Sequence, residues 1–374
     1  WSLAPQVKAI PQKLRALVWV RRGPTIIAVA ALGIAVLLPM LINASQTFLM
    51  SRMLIFAIIA LSITVLTGWA GQLSLGHFAF VGLGALGAAA LVRRGVPFGV
   101  AVVYGTAAGV FAAVLIGTPA LRIRGLLLAV TTLGFAVAAR SWIFTQELFI
   151  GEGTVATVPR PTWGPFDFFP QRTYYYLCLI ALVVTVFAVL RLRRSGIGRS
   201  LIAVRENEPG AAAFSVSPAR AKLTAFAVSG GLAALAGALL AGLMVQFGAE
   251  FFEPDESLRV VAMTIIGGLG SVAGSLLGAV YVIGVPALFN NAVEARLLSS
   301  GVGMLILLLY FPGGLVGLLY RARDALLGFA ERRAARRERP IIETKRMPSG
   351  TLVPTRGNGT GIATTPADEP EEAG

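Results

Sequence analysis

Apolar runs recur along most of the chain, separated by short polar or basic segments, and their lengths set the first expectation. A helix that crosses a bilayer needs about 20 mostly apolar residues. Runs of that order lie near residues 25–43, 51–67, 73–92, 96–117, 125–144, 174–190 and 223–247. Three more, less cleanly separated, lie near 259–273, 275–292 and 300–319. The pattern predicts an all-α polytopic membrane protein with about ten transmembrane helices. The first run follows Lys8, Lys13, Arg15, Arg21 and Arg22, as a signal peptide would. It exceeds the roughly 7–15 apolar residues of a signal sequence and reads as a retained helix. Trp1 in place of methionine predicts a natural chain that starts earlier or was trimmed.

Composition agrees with that solvent. Of the 374 residues 56% are hydrophobic and 13% charged, against about 25% charged in soluble domains. The net charge is +14, but the basic residues gather between and beyond apolar runs, which fits anionic headgroups and inside-facing loops better than nucleic acid. A single cysteine, Cys178, leaves no intrachain disulfide and no cysteine-rich metal site.

Charge also orients the chain. With the five N-terminal cations inside, alternation places Arg122, Arg124 and the segment Arg191 to Lys222 inside. It places Glu147 to Arg172, and then Glu250, Glu253, Asp255 and Glu256, outside, and returns the arginine-rich tail from Arg321 inside. An even count with both termini cytoplasmic follows. Arg93 and Arg94 break the rule by falling outside, and the stretch from Arg259 to Asn290 is open to a re-entrant element in place of two full spans. The expected organisation is a basic segment over 1–24, a membrane domain over 25–320 containing the inner loop 191–222, and a cytoplasmic tail over 321–374. In that tail 321–339 could form a basic amphipathic surface helix, and the Gly-, Pro- and Thr-rich stretch beyond about Arg346 is expected to be disordered.

No enzyme chemistry emerges. The chain has no GxxxxGK[ST] phosphate loop, no HExxH and one histidine, so no catalytic or metal-binding residues are assigned. A GxGxxG at Gly82, Gly84 and Gly87 sits inside an apolar run, not after a strand, and is read as packing. Gly270, Gly274 and Gly278 stand four apart, which would stack them on one helix face for close packing. The same region, with Gly267, Gly268, Gly270 and Ser271, is glycine-dense enough to break a helix, and a broken helix at membrane depth must be buried or line a cavity. It is therefore a pathway candidate as well as a packing one. So is the stretch holding Gln72, Ser74 and His77, whose alternative is local: two helix-capping side chains and a neutral, hydrogen-bonded histidine. The inner segment from Arg191 to Lys222 carries its own small apolar cluster, Ala211, Ala212, Ala213 and Phe214, and reads as a docking surface.

Three blocks carry a family resemblance: GQLSLGHFAFVGLGAL, GRSLIAVRENEPGAAAFSVSPARAKLTAFAVSGGLAALAGAL and TIIGGLGSVAGSLLGAV. Together and in this order the chain resembles the LivM-type permease of branched-chain amino acid ABC importers. Urea and short-amide importer permeases are closely similar. The resemblance implies a plasma-membrane importer with a second permease subunit, ABC ATPase subunits that bind ATP and Mg, and an external solute-binding protein; no cofactor is expected on this chain. It also gives the inner segment a role in ATPase coupling, through Arg205, Glu206, Asn207 and Glu208 of the RENE stretch and Ala211 to Ala213 after it. Pro209 stands where such permeases commonly have an aliphatic residue, and a proline tolerated in a helix's first turn is expected to shift the coupling register. An ion-coupled secondary transporter is the competing class, but the apolar runs contain no Asp or Glu for a proton relay.

Overall fold

The computed structural model describes residues 18–123, 125–151, 155–159, 162–163, 166–167 and 170–288, with shorter stretches between 309 and 354. Helix α1 (Val18–Leu41) leads to α2 (Ala44–Ile63), opened by a reciprocal cap: Gln46 N donates to the Asn43 side chain at 2.9 Å and Asn43 N to Gln46 Oε1 at 3.3 Å. A π-helical turn, Thr64–Trp69, continues α2. Helices α3 (His77–Arg93), α4 (Phe98–Ala120) and α5 (Leu126–Ala138, extended by a π-turn to Ile143) follow. A short α6 (Glu147–Ile150) and strands β1 (Val155–Thr157), β2 (Thr162–Trp163) and β3 (Phe166–Asp167) precede α7 (Gln171–Arg194). Then come α8 (Gly196–Glu206), α9 (Glu208–Ala213), α10 (Pro218–Met244), β4 (Gln246–Gly248), α11 (Pro254–Gly267), α12 (Val272–Ala279) and α13 (Val285–Leu288), the last two joined by a π-turn.

Among the described residues four helices are long and apolar enough to cross a membrane: α2 with its π-turn, α4, α7 and α10. α1, α3 and α5 carry shorter apolar stretches. Ile27, Val103, Phe111, Ile180 and Phe187 are exposed, which suits helices whose solvent is lipid. In such a solvent helices gain little by hiding apolar surface and associate through close packing. α10 is the centre of that packing, set against both α3 and α4. A Cβ on Gly84 would fall 2.0 Å from the Ala234 carbonyl oxygen, one on Gly237 1.9 Å from that of Val81, and one on Gly109 2.1 Å from the Ala234 methyl. Gly82 faces Phe144 and Phe252, so the GxGxxG glycines lie within a helix and let backbones approach. Polar links join the helices as well: Tyr174 Oη donates to Leu239 O at 2.5 Å, and Ser229 Oγ to Ser62 O at 2.8 Å.

One end of the bundle gathers β1, which pairs antiparallel with β4, and the Arg140–Glu253 ion pair of 2.9 Å. Arg93 belongs to this end. Its Nη1 donates to Phe149 O at 2.8 Å, satisfying a carbonyl in the last turn of α6, which gives a structural reason for a cation where charge alternation disfavours one. The opposite end carries α8 and α9.

Several expectations change. The helix expected over 73–92 starts only at His77, and the chain before it is not helical. The runs near 259–273 and 275–292 do not form two spans: α11 and the helical stretch Val272–Ala287 are bent by 120° at a four-residue break. At 1.5 Å per residue the 14 residues of α11 rise about 21 Å, short of a bilayer core of about 30 Å. Gly268 (φ 120°) and Gly270 (φ 85°) adopt conformations that side chains with a Cβ rarely take, so the helix stops there. Gly270 therefore does not share a helix face with Gly274 and Gly278. These two face the other arm instead: a Cβ on Gly278 would meet Met263 O at 2.1 Å, and one on Gly267 would meet Gly274 O at 1.9 Å. Between α7 and α10 only 195–217 is left, shorter than the 191–222 loop expected. Most of the run 300–319 and the surface helix expected over 321–339 lie outside the described residues. Residues 323–374 form a separate unit, in which Thr344–Arg346 pair antiparallel with Leu352–Pro354.

Candidate functional site

The first break follows the π-turn of α2. From Ile55 to Ile63 this helix is buried all round, and its widened last turn ends at Gly68 and Trp69. Gly71 takes a positive φ of 69°, and the chain from there to His77 is not helical. Non-helical backbone at this depth needs partners, and neighbouring helices supply them. Leu75 N donates to Thr132 Oγ1 of α5 at 3.0 Å, and Phe78 N to Ser257 Oγ of α11 at 2.9 Å. Gln72 binds locally, its Nε2 donating to Ala70 O at 3.1 Å. His77 is buried with Nε2 2.6 Å from Ser62 Oγ, while its Nδ1 and the Ser74 hydroxyl have no partner among the described residues.

The second break is the tip of the α11–α12 hairpin. Ser271 caps α12, accepting from Gly274 N at 3.3 Å. The two breaks meet. Trp69 Nε1 donates to Gly270 O at 3.0 Å, a Cβ on Gly68 would lie 2.8 Å from Gly270 N and Cα, and Thr64 Oγ1 is 2.6 Å from Ser275 Oγ. Glycine at 68 is therefore a condition of the contact, because any side chain would push the hairpin tip away.

The basic segment closes on the same place. Ser195 caps α8, and Gly198 fits against Leu192 O, where a Cβ would be 2.2 Å away. Leu201 and Val204 are the buried side of α8. Asn207 caps α9 by accepting from Gly210 N at 2.9 Å, with Pro209 in the first turn, where its missing N–H costs nothing. Lys222, only 7% exposed, donates to both Glu208 carboxylate oxygens at 2.9 and 3.0 Å. Ala211 is buried; Glu206, Ala212 and Ala213 are exposed. At the turn beyond them Phe214 is 86% exposed, and Ser215 takes a positive φ of 63°. A cavity of about 400 Å³ lies between the segment and the first break, lined by Gly71, Gln72, Leu73, Gly125, Leu128, Glu208 and Lys222.

Of the residues singled out from sequence, the structure thus joins Gln72, Gly270, Arg205 and Glu208 in one neighbourhood, with Ser74 and His77 in the buried packing above it and Gly267 between the hairpin arms. Sequence reasoning passed over Trp69, Thr132 and Ser257, which are single polar groups in apolar or mixed runs. It counted Lys222 only as a topology charge. No group of His, Cys, Asp and Glu able to hold a metal occurs among the described residues.

Residues 45–311 match the family described as branched-chain amino acid transport system / permease component. The chain belongs to this family. The matched region contains both breaks, the cavity and the basic segment, and ends before the tail. Two relatives are named high-affinity branched-chain amino acid transport system permease protein LivM. That of Salmonella typhimurium is 30% identical over 312 residues, covering 77% of this chain and 73% of the relative. That of Escherichia coli K12 is 30% identical over 313 residues, covering 77% and 74%. No solved structure gives a significant match. A multi-pass membrane permease is thus the setting in which the two breaks and the basic segment act.

Proposed function

We propose that this chain is a permease subunit of an ATP-driven importer for branched-chain amino acids, working by alternating access in a plasma membrane. The observation that carries the reading is the shared cavity: Gly71, Gln72 and Leu73 of an unwound, membrane-embedded segment line it together with Glu208 and Lys222 of the basic segment. A segment that binds a partner on one side and borders unwound backbone on the other can convert docking into reshaping of a pathway. The partner is an ABC ATPase, which supplies ATP and Mg; α8 and α9 form the surface it grips, and Phe214 is an apolar anchor for it. A second permease completes the membrane part, and a solute-binding protein docks at the β1–β4 end.

Topology supports the same assignment. α1 and α2, α3 and α4, α5, α7 and α10 alternate between the two ends, and the hairpin descends from the β1–β4 end and returns. The buried polar side chains among the described residues are hydroxyls, His77 and Lys222, with no carboxylate among them, which disfavours a proton-relay carrier.

The test is reconstitution with the ATPase, second permease and binding protein. Uptake of labelled leucine that requires ATP inside the ATPase-bearing face supports the reading. Uptake that follows a sodium or proton gradient without ATP contradicts it, and ATP-driven uptake of urea or short amides in place of leucine corrects the substrate.

A further inference from the structure

We propose that Arg205 is the positioning residue that carries movement of the basic segment into the two membrane breaks. This rests on the coupling role given above to α8 and α9, and assigns Arg205 a bond within the permease instead of a contact with the ATPase. Arg205 lies in the last turn of α8, two positions before the Asn207 cap that starts α9. Its Nη1 donates to the carbonyl oxygen of Gly68. Its aliphatic stem covers Gly71, where a Cβ would come within 3.0 Å of Arg205 Cγ, and a Cβ on Gly270 would be 3.9 Å from Nη1. One side chain therefore spans the end of α2, the start of the non-helical segment and the hairpin tip.

The Gly68 carbonyl is a fitting target. The last carbonyls of a helix have no intrahelical donor, and a cation at that end also meets the negative pole of the helix dipole. The following amides are used elsewhere, Ala70 N donating to Val65 O at 3.2 Å and Gln72 N to Leu66 O at 3.0 Å. Arg205 thus supplies the terminus with a charge-assisted donor from another element. Since Trp69 and Gly68 are themselves fastened to Gly270, a pull on α8 reaches both breaks at once. Arg193, 5.9 Å over the Trp69 ring, adds a second basic contact from the end of α7. A lysine would keep the charge but lose the planar fork.

The experiment uses the reconstituted complex with Arg205→Ala and Arg205→Lys, and Phe214→Ala as a docking control. Expected for Arg205→Ala are ATPase binding within about twofold of the parent, retained ATP hydrolysis, and about tenfold less substrate moved per ATP, the scale of one lost charge-assisted hydrogen bond. Arg205→Lys recovers part of that ratio. Independently of transport, spin labels at Arg199→Cys and Leu269→Cys in full-length permease lacking Cys178 give a narrow distance distribution that broadens on Arg205→Ala. A loss of ATPase affinity as large as that of Phe214→Ala makes Arg205 a docking residue and overturns the proposal. So does an unchanged ratio of uptake to hydrolysis, or an unchanged label distribution. Absence of ATP-driven uptake in the parent complex overturns the transport reading instead, and the label distances still decide whether Arg205 fastens α8 to the hairpin.

Discussion

At Gly76 the non-helical segment presses so closely on α5 that a Cβ would fall 1.8 Å from the Thr132 carbonyl oxygen. Backbone cannot yield as a flexible side chain can, so the whole contact would have to open. Gly76→Ala is expected to cost about 1–3 kcal/mol, measured as a lower unfolding midpoint of the solubilised permease. Gly134→Ala, inside α5 where nothing lies within 4 Å of the built Cβ, is the control and should not lower the midpoint, since alanine favours a helix interior over glycine by about 0.5–1 kcal/mol. Equal effects at the two positions would contradict the packing described for the break. The hydroxyls that hold this segment are as local in their effect: Thr132 and Ser257 each satisfy one backbone amide of the unwound stretch.

The hairpin shows at the level of elements what the sequence contained and what it lacked. A glycine-dense run over Ile265 to Gly274 was enough to expect a helix break, since glycine both weakens a helix and permits positive φ. Spacing alone could not say which glycines would take that conformation, and so it put Gly270 on a face with Gly274 and Gly278. Likewise Gln72, Ser74 and His77 marked an interruption of an apolar run, but the hydroxyls that hold this stretch, Ser62, Thr132 and Ser257, stand on α2, α5 and α11, and nothing in one chain's pattern fixes register between distant helices. Long-range contacts decide such cases, as at Arg93, whose place at the β1–β4 end follows from carbonyls of α6. Between the hairpin arms, Gly267→Val would force a side chain onto the Gly274 carbonyl, 1.9 Å from the Cβ position. The arms should splay by enough to cost about 1–3 kcal/mol and to break the Trp69–Gly270 bond. Faster protease cleavage at the hairpin with unchanged membrane insertion would register this; parent-like resistance would speak against tightly paired arms.

For the whole molecule, the described residues amount to a lipid-facing bundle around α10, two breaks that touch each other, and a basic segment with one large aromatic side chain in solvent. Phe214 is 86% exposed beside a turn in which Ser215 takes a positive φ of 63°, which leaves its ring open to a partner. As a buried anchor in an ATPase cleft it should contribute at least about 2 kcal/mol. Phe214→Ala is then expected to weaken binding of the ATPase subunit roughly 30-fold, by titration of labelled ATPase onto reconstituted permease, and a change under about twofold would remove Phe214 from the interface.

The central claim is that the unwound segment beside the basic loop lines the path and changes exposure when the ATPase closes. Its most direct measurement is maleimide labelling of Gln72→Cys, in a chain whose buried Cys178 is replaced by serine, within the assembled importer. Labelling from the ATPase side in the resting state, slowed about tenfold or more when a non-hydrolysable ATP analogue closes the ATPase, is the result expected from gating of a water-filled path. A position that is unreactive in both states, or equally reactive in both, would contradict it.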